Sequence, residues 1–214
     1  MRVISLLLIL ITSFFFTGII IRTKSILSGR KGPGILQPMK DIIRSLRIGS
    51  VYSKTTSFIF QLAPTVYIAT ILMAILFIPF GNQKGVLSFN GDFVFFAYTL
   101  ALGKFFMIIA SLDTGSSFEG MGASREALYS MLVEPAFFII MGSFSLLTGF
   151  TSFVDIFGAM HYGSYITYGL GALAAFVFVI IALIENSRMP VDDPKTHLEL
   201  TMIHEVMILD NSGY

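Results

Sequence analysis

The stretch "ITYGLGALAAFVFVIIALIENSRMPVDDPKTHLEL" covers residues 166–200. Residues 166–184 carry no charge and are long enough to cross a hydrocarbon layer as a helix. Glu185 closes that run, and Asp192, Asp193 and Glu199 follow it closely. Acids gathered at the edge of so apolar a segment raise the question of their use. Their position suits them to receive protons.

The rest of the chain agrees with a membrane setting. Of its 214 residues 55% are hydrophobic and 13% are charged, against about 25% charged in an ordinary soluble domain. The expected class is therefore an all-α integral membrane protein, a single membrane domain over 1–214. A net charge of +1 gives no field that would draw nucleic acid. With no cysteine, the chain cannot form disulfides or supply thiolates to zinc or iron–sulfur centres. No cofactor is expected on this chain.

Five apolar runs predict transmembrane helices at about 3–21, 58–80, 93–112, 127–150 and 164–184. The first has one basic residue ahead of it and no small-residue cleavage site near its end, so it reads as a retained span rather than a signal peptide. Basic residues crowd into 22–57, with Arg125 in 113–126 and Arg188 and Lys195 in 185–214. Only Arg2 and Lys84 lie on the opposite side. The positive-inside rule then puts the N-terminus outside and those three connections in the cytoplasm.

Within the first connection, "PGILQPMKDIIRSLR" (33–47) spaces Ile35, Met39, Ile42, Ile43 and Leu46 by threes and fours, with Lys40, Arg44 and Arg47 on the other flank. This predicts an amphipathic helix in the interface, its basic groups toward lipid headgroups or a partner. Arg30, Lys31, Arg44 and Arg47 are the candidates for docking a soluble partner. Simple obedience to the positive-inside rule is compatible with the same pattern. "GSSFEGMGASREAL" (115–128) follows no strand and matches no phosphate loop, and it reads as a tight connection between the third and fourth spans.

Ionisable groups inside spans are costly and default to function. Lys104 sits midway along the third apolar run. Glu134 sits about two turns into the fourth, followed by Pro135, which can kink a helix and admit water. Glu134 either trades protons or forms a structural ion pair with Lys104. The acids Glu185, Asp192, Glu199, Glu205 and Asp210 form a candidate string near the cytoplasmic face. Asp193 and Pro194 read as the start of a cytoplasmic helix. His197 and His204, seven apart, lack the spacing and third ligand of a zinc site, so they are assigned to a partner or the proton path, with no metal expected.

Three motifs carry a family resemblance: "GRKGPGILQPMKDIIR" (29–44), "EGMGASREAL" (119–128) and "ENSRMPVDDPKTHLELTMIHEVMILDNSG" (185–213). They resemble the complex I subunit 1 family. They are most similar to its hydrogenase branch, the membrane subunits of formate hydrogenlyase, hydrogenase-4 and related energy-converting hydrogenases. Gly34 runs straight into Ile35 without the longer glycine-rich insert of complex I, which favours that branch over a quinone-binding one. The resemblance implies an eight-helix fold, of which this chain supplies five and ends in the loop before a sixth.

The resemblance also implies a role. Such a subunit, in the inner (cytoplasmic) membrane, holds a soluble arm made of a nickel–iron-hydrogenase-like large subunit and an iron–sulfur small subunit. It begins a charged path toward antiporter-like membrane subunits. Glu134 resembles the intramembrane carboxylate, Glu185 the acid closing the fifth helix, Asp192 and Glu199 the loop acids, and Arg188 the arginine that orients them. The implied function is to couple electron transfer to proton or sodium translocation without being catalytic itself. The alternatives are the quinone-binding membrane subunit of an NADH:quinone oxidoreductase and a passive membrane anchor.

Overall fold

The computed structural model describes residues 2–49, 52–80, 83–160, 165–188, 191–192 and 202–208. They form eight helices and no strand among the described residues. Two compact units emerge, 53–210 and a second made of 1–52 with 211–214.

The smaller unit holds α1 (Arg2–Leu27) and α2 (Gln37–Ser45). Gly29, at φ 68°, ends α1 in the left-handed region, and Arg30 N donates to Ser25 O at 2.9 Å. The chain then folds back on α1. The Arg22 guanidinium donates to the carbonyls of Gly32 (2.9 Å) and Pro33 (3.4 Å). A Cβ at Gly18 would collide with the Ile35 carbonyl, so only glycine permits that approach. Helix α2 starts with Pro38 in its first turn, where a missing N–H costs nothing. It keeps Met39, Ile42 and Ile43 exposed together with Lys40 and Arg44, as the amphipathic pattern predicts.

The larger unit contains α3 (Phe58–Ile75), α4 (Asp92–Asp113), α5 (Ser117–Thr148), α6 (Phe153–Met160), α7 (Tyr165–Glu185) and α8 (His204–Met207). Ser57 caps α3, its hydroxyl accepting from Ile59 N at 3.2 Å, and Ser57 N donates to Asp113 Oδ2 at 2.6 Å. That contact puts the start of α3 beside the end of α4. The two helices approach closely at Gly103, where a Cβ would press on the Thr70 hydroxyl. Phe60, Ala63 and Ala110 form the buried seam between them. A second core joins Phe93, Met141, Phe144, Phe153, Ile156 and Ala174, from α4, α5, α6 and α7.

Helices α1, α3, α4, α5 and α7 are long and apolar enough to cross a membrane. They correspond to the five expected spans. Their outward faces stay apolar, with Leu146 90% and Tyr165 94% exposed, a surface suited to lipid rather than water.

One expectation is overturned. Residues 117–128 are not a connection: α5 begins at Ser117, the turn shrinks to 114–116, and Gly115 takes φ 71°. The fourth span thus gains about three turns at its start. Pro135 lies inside α5, which remains helical on both sides of it. Helix α6, between the fourth and fifth spans, has no counterpart among the expected elements. The helix expected from about 194, with Asp193, Pro194 and His197, lies outside the described residues.

Candidate functional site

Lys104 lies nine residues from the end of α4, about 14 Å along the helix. Glu126 lies nine residues into α5, which runs back from that end, so the two meet at the same depth. Lys104 Nζ is 3.0 Å from Glu126 Oε1 and 2.7 Å from Glu185 Oε1 at the end of α7, and 3.5 Å from the Ser130 hydroxyl. One buried ammonium thus joins three membrane-spanning helices. Lys104 and Glu126 are 9% and 4% exposed. Without Lys104 the Glu126 carboxylate is stranded away from water, whereas without Glu126 the lysine keeps Glu185.

The cluster continues toward the loop. His204 Nε2 lies 3.7 Å from Glu126 Oε2, and His204 Nδ1 lies 3.9 Å from Asp192 Oδ2. Asp192 is buried and its Oδ2 accepts from the amides of Ile203 (3.3 Å) and His204 (3.2 Å), which fixes the start of α8. Gly122 lets α8 lie against α5: a Cβ there would meet the Ile203 carbonyl at 2.8 Å. The Arg125 guanidinium donates to Met202 O at 3.3 Å and holds the same segment. Glu119, two turns before Glu126 on the same face, is also buried.

Each expected residue among those described has a definite place. Lys104, Glu185 and Asp192 belong to the cluster. Glu134 is half-buried and makes no ion pair among the described residues, so Lys104 pairs with Glu126 and Glu185 rather than with Glu134. Glu134 does line a cleft of about 250 Å³ with Lys104 and Glu185, walled by Phe96, Leu100, Phe137 and Phe178. Arg188 is exposed and holds the loop through its carbonyl, which accepts from Val191 N (3.0 Å) and Asp192 N (3.4 Å). Glu205 is half-buried in α8. Glu199 and Asp210 lie outside the described residues. Arg30, Lys31, Arg44 and Arg47 are exposed in the smaller unit. Sequence reasoning misses Glu126, Glu119 and the position of His204 between two carboxylates, because 115–128 reads as a loop.

Comparison with known proteins identifies the family and the fold. Residues 1–206 match the family described as NADH dehydrogenase. The chain is 32% identical over 195 residues to hydrogenase-4 component C of Escherichia coli (strain K12), covering 90% of this chain and 61% of that protein. It is 31% identical over 174 residues to formate hydrogenlyase subunit 4 of the same organism, covering 81% and 57%. Against a subunit of the NADH-quinone oxidoreductase of Koribacter versatilis (strain Ellin345) it is 29% identical over 184 residues, covering 80% and 43%. The chain therefore spans only part of the length of these relatives. In fold it is similar to a chain in the structure of the membrane-bound sulfane sulfur reductase (MBS), an archaeal respiratory membrane complex. There the TM-score is 0.74 at 20% identity, over 99% of this chain and 69% of that one. The chain is a membrane protein that belongs to the NADH dehydrogenase family, the family of complex I subunit 1.

Proposed function

We propose that this chain is the membrane subunit of a membrane-bound hydrogenase related to respiratory complex I, and that it couples electron transfer in a soluble arm to movement of protons or sodium ions. The observation that carries the reading is Lys104 held between Glu126 and Glu185 from three spanning helices. Ion clusters at such depth are expensive, and packed apolar side chains would hold the helices at least as well. A cluster whose balance of charge changes with one proton is suited to passing that change along the membrane.

The soluble arm comprises a hydrogenase-like large subunit and an iron–sulfur small subunit, and antiporter-like subunits lie beside this chain in the membrane. Nickel–iron and iron–sulfur centres reside on those partners, since a chain without cysteine offers them no thiolate. The relatives named hydrogenase-4 component C and formate hydrogenlyase subunit 4 support this branch. The chain lies in the inner membrane with its N-terminus outside. Arg30, Lys31, Arg44 and Arg47 face the cytoplasm and dock the arm, with α2 in the headgroup layer.

The test sets acidification by inverted vesicles against hydrogen evolution in the same preparation. Glu126→Gln and Glu134→Gln keep shape and remove a proton site. Both variants are expected to assemble and to move fewer ions per electron, with the larger loss in Glu126→Gln. Glu134→Asp should retain part of the coupling. An unchanged ratio in both Gln variants leaves the chain a passive anchor. The cleft beside Lys104, apolar along its walls and charged at its end, favours a second reading as a quinone site, which inhibition of electron transfer by quinone analogues would establish.

A further inference from the structure

Asp192 and Glu126 face opposite nitrogens of one imidazole. His204 Nδ1 looks toward Asp192 Oδ2 at 3.9 Å and Nε2 toward Glu126 Oε2 at 3.7 Å. Nδ1 is buried and has no hydrogen-bond partner among the described residues. The ring is set in place from two sides. Its own amide is held by Asp192, and the residues just before it are held by Arg125 and by the close approach at Gly122. Beyond Glu126 lies Lys104, and beyond Lys104 lies Glu185.

A neutral imidazole carries one donor nitrogen and one acceptor nitrogen, so it can take a proton on one side while giving one up on the other. Both gaps exceed a hydrogen bond by about 1 Å. A small rotation of the side chain or a single water closes either. The other charged groups on the elements packed around the ring are Glu205 next to it on α8, Arg125, which holds Met202, and Glu119 on α5, and Lys104 behind Glu126.

We propose that His204 carries protons between Asp192 in the loop and Glu126 in the membrane cluster. The inference rests on the coupling reading above and names the residue that joins the loop to the spans. In the transfer, a protonated Asp192 gives its proton to Nδ1 while the Nε2 proton passes to the Glu126 carboxylate. Asp192 ends ionised, Glu126 ends protonated, and the imidazole stays neutral with its proton on the other nitrogen. Restoring the starting tautomer takes one proton off Nδ1 and puts one on Nε2, an exchange with water open to a side chain that is 36% exposed.

The experiment uses inverted vesicles carrying the assembled complex, with ions moved per hydrogen evolved as the readout. His204→Gln fills the space without a nitrogen that can take a proton, and most of the ratio is expected to be lost. His204→Ala is expected to lose as much and to recover part of it when imidazole is added, a rescue that a packing role would not give. An unchanged ratio in the assembled His204→Gln complex overturns the carrier role. So does a loss in His204→Ala that imidazole leaves untouched. Glu126→Gln in the same preparation separates the two ideas: coupling lost there and kept in His204→Gln sinks only the carrier, whereas coupling kept in both sinks the coupling reading as well.

Discussion

The larger unit buries a carboxylate near each end of α4–α5, and the two are handled in opposite ways. Asp92, at the start of α4, is 0% exposed. Its Oδ1 accepts from Phe153 N at 2.8 Å, and its Oδ2 from the hydroxyls of Ser152 (2.9 Å) and Ser88 (3.4 Å). Gly91 N donates to Thr151 O beside it at 3.0 Å. Every one of these donors is uncharged and fixed, and the helix N-terminus favours the negative group. Glu126, near the other end, instead shares one lysine with Glu185 and faces an imidazole across a gap. The first carboxylate is a clamp that sets the start of α6. The second shares one ammonium with another carboxylate and has an imidazole on its far side. Burial alone does not separate the two acids; the chemistry of their neighbours does, and the coupling proposal rests on that difference.

The sharpest way to break that contrast is Lys104→Met. It strands Glu126 without its cation, and loss of one partner from a buried pair costs about 3–5 kcal/mol. The expected outcome is a large fall in thermal stability of the detergent-solubilised protein together with loss of ion movement per electron in whatever complex assembles. Full coupling in an assembled Lys104→Met complex would reduce the cluster to a structural pair.

Asp92→Ala should come next in size. It leaves Phe153 N and two hydroxyls without their acceptor, at about 1–3 kcal/mol for the stranded buried group. Stability should fall, as read by thermal unfolding, while ions moved per electron in the assembled fraction stay as before. A drop in that ratio would show that both ends take part and dissolve the distinction.

The clamp and the cluster differ also in how far sequence reveals them. The spans are legible because long uncharged runs have one economical placement: the expected 93–112 and 164–184 are found as Asp92–Asp113 and Tyr165–Glu185. Lys104 is legible because a charge inside such a run stands out. Its partner is hidden because the first turns of α5 bury Glu119, Gly122, Ala123, Glu126, Ser130 and Val133. Their spacing of threes and fours is helical, but most of the buried residues are small or acidic, so hydropathy sees a glycine-rich loop. Glu134 stands out instead as the carboxylate inside the apolar run. It lies eight residues past Glu126, about 12 Å further along the helix, so a lysine bound to Glu126 and Glu185 does not also pair with it. The clamp is hidden for another reason. Asp92 is separated from Ser152 by sixty residues, and only the packing of α4 on α6 brings them together.

The smallest expected effect gives the two ends their sides of the membrane. Asn90 lies at the clamp end and Ser53 shortly before α3 at the cluster end, and both are exposed. Cysteine at either should change stability by no more than about 0.5 kcal/mol, because neither side chain is part of a buried network. The chain has no other cysteine, so each variant carries a single thiol. The basic-residue bias puts the clamp end outside and the cluster end in the cytoplasm. Asn90→Cys in intact cells or spheroplasts should therefore react with a membrane-impermeant maleimide, and Ser53→Cys only after permeabilisation. Inverted vesicles should exchange the two results. Under the coupling proposal, that orientation puts Lys104, Glu126 and His204 on the side of the proposed soluble arm. The opposite labelling would put the clamp there instead and remove the coupling proposal's access to the arm.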